Sequence, residues 1–118
     1  MTLIDDYLEM HQEYQKQYGK IALLMQVGMF YEYYGVDNDK EKLGNVAEVS
    51  STLNIQMTRK NKSIVENSRG NPLMIGVNIY SIDKFVQILL NSGYRLSHSI
   101  CNLICNLICE CHILFLCL

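Results

Sequence analysis

The sequence predicts an α/β fold: a single small domain in which a mixed β-sheet is flanked by about three helices. Apolar stretches patterned like strands, Ile21 to Val27 and Met74 to Val77, alternate with segments of helical periodicity such as Leu3 to Tyr14 and Ile82 to Leu89. The 118 residues are one domain's worth of chain, enough to bury about two-thirds of the unfolded surface. Composition also changes abruptly after residue 96. This divides the chain into a body, 1–96, and a low-complexity Cys/Ile/Leu-rich tail, 97–118.

Taken in order, Thr2-x-x-Asp5 has the form of a capping box, and Leu3, Tyr7, Met10 and Tyr14 then recur at helical spacing beside Ile4, Leu8 and His11. Gly19 stands where a left-handed residue would stop that helix. His11 lies on the apolar stripe with no acid or nucleophile near it in sequence, so a half-buried packing role is expected. Ile21-Ala22-Leu23-Leu24-Met25 is a continuous apolar run, the pattern of a strand covered on both faces. Gly28 interrupts it, and an aromatic strand follows until Gly35. Asp37-Asn38-Asp39 offers N-caps for a helix carrying Leu43, Val46, Ala47 and Ser50 on one face. Asp37, Asp39 and Glu41 suit the first turn of that helix, whose dipole favours anions, better than they suit a metal site.

Leu53 to Thr58 alternates in polarity as a half-buried strand does. Arg59 to Asn71 is a long polar loop in which Arg59, Lys60, Lys62 and Arg69 face one opposing charge, Glu66. Pro72 drives Asn71 toward extended backbone, and Met74-Ile75-Gly76-Val77 resumes as a buried strand. Ser81 then caps a helix with Ile82, Phe85, Val86 and Leu89 inward, stopped by Gly93.

Beyond Arg95-Leu96-Ser97-His98-Ser99 comes a fourfold-spaced repeat, Ile100-Cys101-Asn102-Leu103, Ile104-Cys105-Asn106-Leu107, Ile108-Cys109. As a helix it would stack Cys101, Cys105 and Cys109 in one row beside Asn102, Asn106 and Glu110. Cys109-x-Cys111-His112 brings its thiols closer in sequence than zinc sites usually do, and no second ligand pair comes from a separate turn. A bilayer span is also disfavoured, because Glu110 near the middle of the apolar run would cost about 2.5–3.5 kcal/mol at that depth. A low-complexity extension on a shortened chain is the expectation.

The net charge of −2 excludes a strongly basic nucleic-acid binder, so any such contact must come from a local patch or from domains outside this chain. The start, Met1-Thr2-Leu3-Ile4-Asp5-Asp6, is acidic where a secretory leader is basic. All five cysteines crowd between Cys101 and Cys117, which is no disulfide framework for the body. An intracellular, reducing location (cytoplasmic or nuclear) is expected. No Gly-x-x-x-x-Gly-Lys-Ser/Thr phosphate loop and no nucleophile–base pair stands out, so no catalytic residues and no enzymatic activity are expected.

One stretch is chemically odd. Gly28-Met29-Phe30-Tyr31-Glu32 sets a large ring two residues from a carboxylate. On a strand Phe30, Glu32 and Tyr34 share one face, with Tyr31 and Tyr33 on the other, so one of that first pair must lie near water or a polar partner. The stretch resembles the Gly-x-Phe-Tyr-Glu signature in the first domain of MutS-type DNA mismatch-repair proteins. Thr58-Arg59-Lys60 is similar to that family's Thr-Lys-Arg segment, and Pro72-Leu73-Met74-Ile75-Gly76-Val77 to its Pro-Met-Ala-Gly-Val turn. Asp83, Phe85, Leu89 and Gly93 match the spacing of the helix that follows. Met29 replaces an acidic residue common in the bacterial motif, and Asn78-Ile79-Tyr80 stands where the family has Pro-Tyr-His. Such departures resemble divergent members, including those of large DNA viruses.

The resemblance implies a domain that senses mismatches or small loops in double-stranded DNA. A ring at Phe30 would wedge beside a defective base from the minor groove and kink the duplex there. An intact step resists unstacking by about a few kcal/mol, whereas a mispair has already lost part of that energy. Glu32 takes the position of the family's acid, which hydrogen-bonds the displaced base and disfavours ordinary duplex by facing its phosphates. The family's polar segment lies near the DNA backbone, which makes Arg59, Lys60, Lys62 and Arg69 candidate phosphate contacts. In the full-length family ATP and Mg serve a distant ATPase domain and the protein acts as a dimer. For this chain neither cofactor nor small-molecule substrate is expected. Two other readings stay open: a small single-stranded nucleic-acid or RNA-binding module stacking bases on the Phe30–Tyr34 aromatics, and an inactive truncated fragment.

Overall fold

The computed structural model describes residues 3–94 and 112–117. Along the chain it contains α1 (Leu3–Tyr18), β1 (Ile21–Val27), β2 (Phe30–Asp37), β3 (Lys42–Leu43), α2 (Val46–Leu53), β4 (Thr58–Arg59), β5 (Leu73–Asn78), α3 (Ile82–Asn91) and β6 (His112–Cys117). A 3-10 turn at Ile79–Ser81 leads into α3. The strands form one sheet in the order β4-β5-β2-β1-β6, with β3 paired to β2 off that path.

Among the described residues every strand pairing is antiparallel, where the alternation of elements suggested a mixed sheet. The reason lies in where the chain re-enters. It leaves β2 at Asp37 and returns at Leu73 opposite Gly35, at the same end of the sheet. The excursion through α2 therefore covers a face without forming the crossover that a parallel pair needs.

The helices divide between the two faces. On one, Ile4, Tyr7 and Leu8 of α1 pack on Leu23, Met25, Tyr34 and Val36. On the other, Val46, Val49 and Leu53 of α2 and Leu89 of α3 pack on Ala22, Leu24, Tyr33 and Ile75. Cover on both sides explains why Ile21 to Met25 is buried at every position. The N–H of Gly19 closes α1 onto the Gln15 carbonyl at 2.8 Å, as its sequence position suggests. In α3, Leu89 is buried with Ile82, Phe85 and Val86 packed around the same core.

Two expected elements differ. The helix expected after Asp37 starts only at Val46, because Asn38 captures the chain first. Its side-chain oxygen accepts from the N–H groups of Lys40 (2.9 Å) and Glu41 (3.0 Å), turning β2 back into β3. Leu43 therefore sits on a strand, and Ala47 is exposed. The strand expected over Leu53 to Thr58 shrinks to Thr58–Arg59. Leu53 is the last residue of α2, and Asn54 follows in the left-handed region at φ 56°. The alternation there is real but comes from irregular backbone, from which Ile55 and Met57 pack against the core.

The Thr2 cap, the Arg95–Ser99 segment, the cysteine repeat with Glu110, and the Cys109-x-Cys111 pair lie outside the described residues. Further along the tail, β6 runs antiparallel to β1, with Ile21 opposite Cys117 and Gln26 opposite His112. Among the described residues no helix is long and apolar enough to cross a membrane.

Candidate nucleic-acid interface

The β1–β2 connection needs only Gly28 and Met29, since Val27 pairs directly with Phe30. Gly28 takes φ +59°, where a side chain would be strained, and this makes the tight return possible. The register then places Phe30 opposite Asn78, Glu32 opposite Gly76 and Tyr34 opposite Met74. All six positions share the face that α1 covers, but the cover stops at Tyr34 and Met74. Toward the turn the sheet is open: Phe30 is 48% exposed, and Val27, Met29, Gly76 and Asn78 are exposed around it.

Glu32 sits one step inside this open end, half-buried and held. The Tyr34 hydroxyl donates to its carboxylate, and the Tyr34 ring meets Tyr7 of α1 edge-on at 5.2 Å. Tyr7 in turn donates to the Leu23 carbonyl. The acid is thus aimed through a chain of packed rings rooted in the core. Across from it Gly76 presents no side chain, and a Cβ there would meet nothing within 4 Å. The result is a notch of open space over Gly76, with the held carboxylate across from it and Phe30 beside that carboxylate on the same strand.

A second aromatic belongs to the same rim. The Ile79 N–H donates to the Met29 carbonyl at 2.9 Å, tying the 3-10 turn to the β1–β2 turn. Asn78 caps that turn by accepting from the Tyr80 N–H at 2.9 Å, and the Tyr80 side chain is 83% exposed. Sequence reasoning missed Tyr34 as the holder of Glu32, Gly76 as the space beside it, and Tyr80 as rim. The alternation of β2 signals the first, whereas the other two depend on a cross-strand register that no local pattern encodes.

The four cations expected near DNA are not gathered at the notch. Arg59 pairs with Leu73, which pairs with Gly35; at about 3.3 Å per residue this lies about 17 Å along the strands from Phe30. Its guanidinium donates to the carbonyls of Ile64 (2.7 Å) and Lys62 (3.0 Å), so it shapes its own loop. Arg69 forms a two-pronged pair with Glu41 at 3.0–3.2 Å and approaches Asp5 at 4.0 Å. That hydrogen bonding and charge raise its pKa further. Lys60 and Lys62 are exposed on the loop surface. Asn71, buried, pins this loop by donating to the Ile64 and Glu66 carbonyls and accepting from the Asn61 N–H.

His11 is fully buried, not half-buried, and lies in a polar knot. Its Nε2 is 2.6 Å from the Tyr33 hydroxyl and 3.1 Å from Asn45 Oδ1, and that hydroxyl also donates to Asn45. Desolvation pushes its pKa from 6.5 to about 4, against a smaller upward pull from Asn45. It ties α1 to β2 and the start of α2 and stays neutral at pH 7. The stacking platform imagined for single strands is also curtailed: Tyr33 and Tyr34 are buried and Tyr31 packs against the core. Among the described residues no group of three His, Cys, Asp or Glu side chains is placed to hold a metal ion.

The sequence profile of MutS domain I matches residues 3–101. Over 97 residues, 80% of this chain, the sequence is 34% identical to a protein of Acanthamoeba polyphaga mimivirus named as a DNA mismatch repair protein mutS homolog. The chain spans only 8% of that relative's length. With the glycine turn, the exposed ring and the held acid all on matched positions, this chain belongs to the MutS domain I family.

Proposed function

We propose that the domain binds double-stranded DNA at mispaired or unpaired bases, with Phe30 entering the stack and Glu32 contacting the displaced base. The observation that carries this reading is the open sheet end, where a half-exposed phenylalanine stands one strand step from an oriented carboxylate. Burying that ring between bases is favourable only where stacking is already weak. Lys60 and Lys62 serve as phosphate contacts. Their loop lies about 17 Å from Phe30 along the strands, which is about five base pairs at the 3.4 Å rise of one strand. Arg59 holds the loop in shape, and Arg69 contributes only if it leaves Glu41.

The test is fluorescence anisotropy with two duplexes, one perfect and one carrying a single unpaired base. Wild type is expected to prefer the second, weakly and with a shallow salt dependence, since two lysines supply few phosphate contacts. Loss of base–aromatic stacking in Phe30→Ala removes about 1–3 kcal/mol, a loss of roughly 5- to 150-fold on the unpaired-base duplex. Glu32→Gln instead tightens binding to perfect duplex and narrows the preference from the other side. Equal binding of both duplexes by wild type and Phe30→Ala would refute the proposal.

A further inference from the structure

We infer that Tyr80 is a second DNA-contacting residue, resting on the groove wall beside the step that Phe30 enters and adding affinity without adding discrimination. This rests on the binding mode proposed above and extends it to a position where the sequence departs from the family's pattern. The argument starts from exposure. Tyr80 is the most exposed aromatic among the described residues at 83%, yet its backbone is firmly held. Asn78 accepts from its N–H, and the adjacent Ile79 N–H is bonded to Met29, the residue next to Phe30. With the backbone already held, a partner that covers this ring has only the side chain left to order, and a tyrosine has few rotatable bonds to freeze. Tyrosine suits a wall of sugar and phosphate, because its face packs on the sugar while its hydroxyl donates to a phosphate oxygen.

Geometry also separates its role from that of Phe30. Phe30 lies on the strand face next to Glu32, in line with the notch, whereas Tyr80 lies beyond the end of β5, past the Asn78 that pairs with Phe30. A ring in that place meets the backbone flanking the opened step, and the flanking backbone is present whether or not a base is unpaired.

The experiment measures wild type, Tyr80→Ala, Tyr80→Phe and Phe30→Ala on the same two duplexes. The expected result is that Tyr80→Ala weakens both duplexes by the same factor, about fivefold or more, and leaves their ratio unchanged. Tyr80→Phe falls between, reporting the lost hydroxyl contact. Circular dichroism checks that the variants are folded, as expected for a side chain this exposed. Tyr80→Ala binding both duplexes as tightly as wild type would overturn the role of Tyr80 alone. If wild type shows no preference but Tyr80→Ala still weakens both duplexes, the mismatch reading fails while this contact stands. If wild type binds neither duplex, both fail.

Discussion

Lowering the pH should destabilise this domain through His11, and the size of the effect follows from its surroundings. In the folded state the imidazole is fully buried, its Nε2 held by Tyr33 and Asn45 and its Nδ1 without a partner among the described residues. Asn45 Oδ1 can only accept, so the proton resides on Nε2 and a second proton would have to enter at buried Nδ1. Desolvation therefore lowers the folded pKa to about 4 from 6.5. A depressed value means the unfolded chain takes up the proton first, so this contribution is complete above pH 6.5 and is lost as the pH falls toward 4. At about 1.4 kcal/mol per pH unit the interval corresponds to about 3 kcal/mol, a large part of the roughly 5–15 kcal/mol that holds a small domain together. Urea denaturation of wild type and His11→Gln at pH 7 and pH 4 isolates the effect, because the carboxylates titrate alike in both proteins. Wild type should lose about 3 kcal/mol more than the variant over that range. Parallel losses, or a proton NMR titration placing His11 near 6.5 in the folded protein, would refute the reasoning.

Other consequences can be measured in the same way. Phe30→Ala should lower folding stability by less than about 1 kcal/mol, since a half-exposed ring forfeits little burial, so a binding defect cannot be put down to unfolding. Gly44→Ala should cost about 2 kcal/mol or more in a denaturant melt: Gly44 has φ +69°, and a Cβ would lie 2.8 Å from the Tyr34 carbonyl oxygen. Asn71→Ala should cost about 1–3 kcal/mol and speed hydrogen exchange across residues 60–70, because three loop hydrogen bonds end on its side chain. Gly76→Val should fold normally, as the added side chain meets open space, but should block the notch and lower binding to the unpaired-base duplex.

Much of the fold was legible because its signals are local. The apolar run of β1, the aromatic alternation of β2, the glycines at positions 19 and 93 and the inward face of α3 each follow from a few neighbouring side chains. The misreadings share a cause. At Asp37–Asp39 the same polar residues serve equally well as helix caps or as a side-chain turn, and the contest was decided by β3 pairing back onto β2. The alternation after Leu53 marks residues that reach the core, and the core accepts them from a loop as readily as from a strand.

The amino-acid order by itself determined which residues would be unusual: a ring and a carboxylate two apart after a glycine turn, and a basic loop further along. Tertiary structure decided what those residues can do. Packing of α1 over only part of the sheet leaves Phe30 in water and buries Tyr34 as the clamp on Glu32. Strand register sets Gly76 across from the acid and carries Arg59, where the basic loop begins, about 17 Å away. Exposure and register are sums over contacts distant in sequence, so no short stretch of the chain contains them.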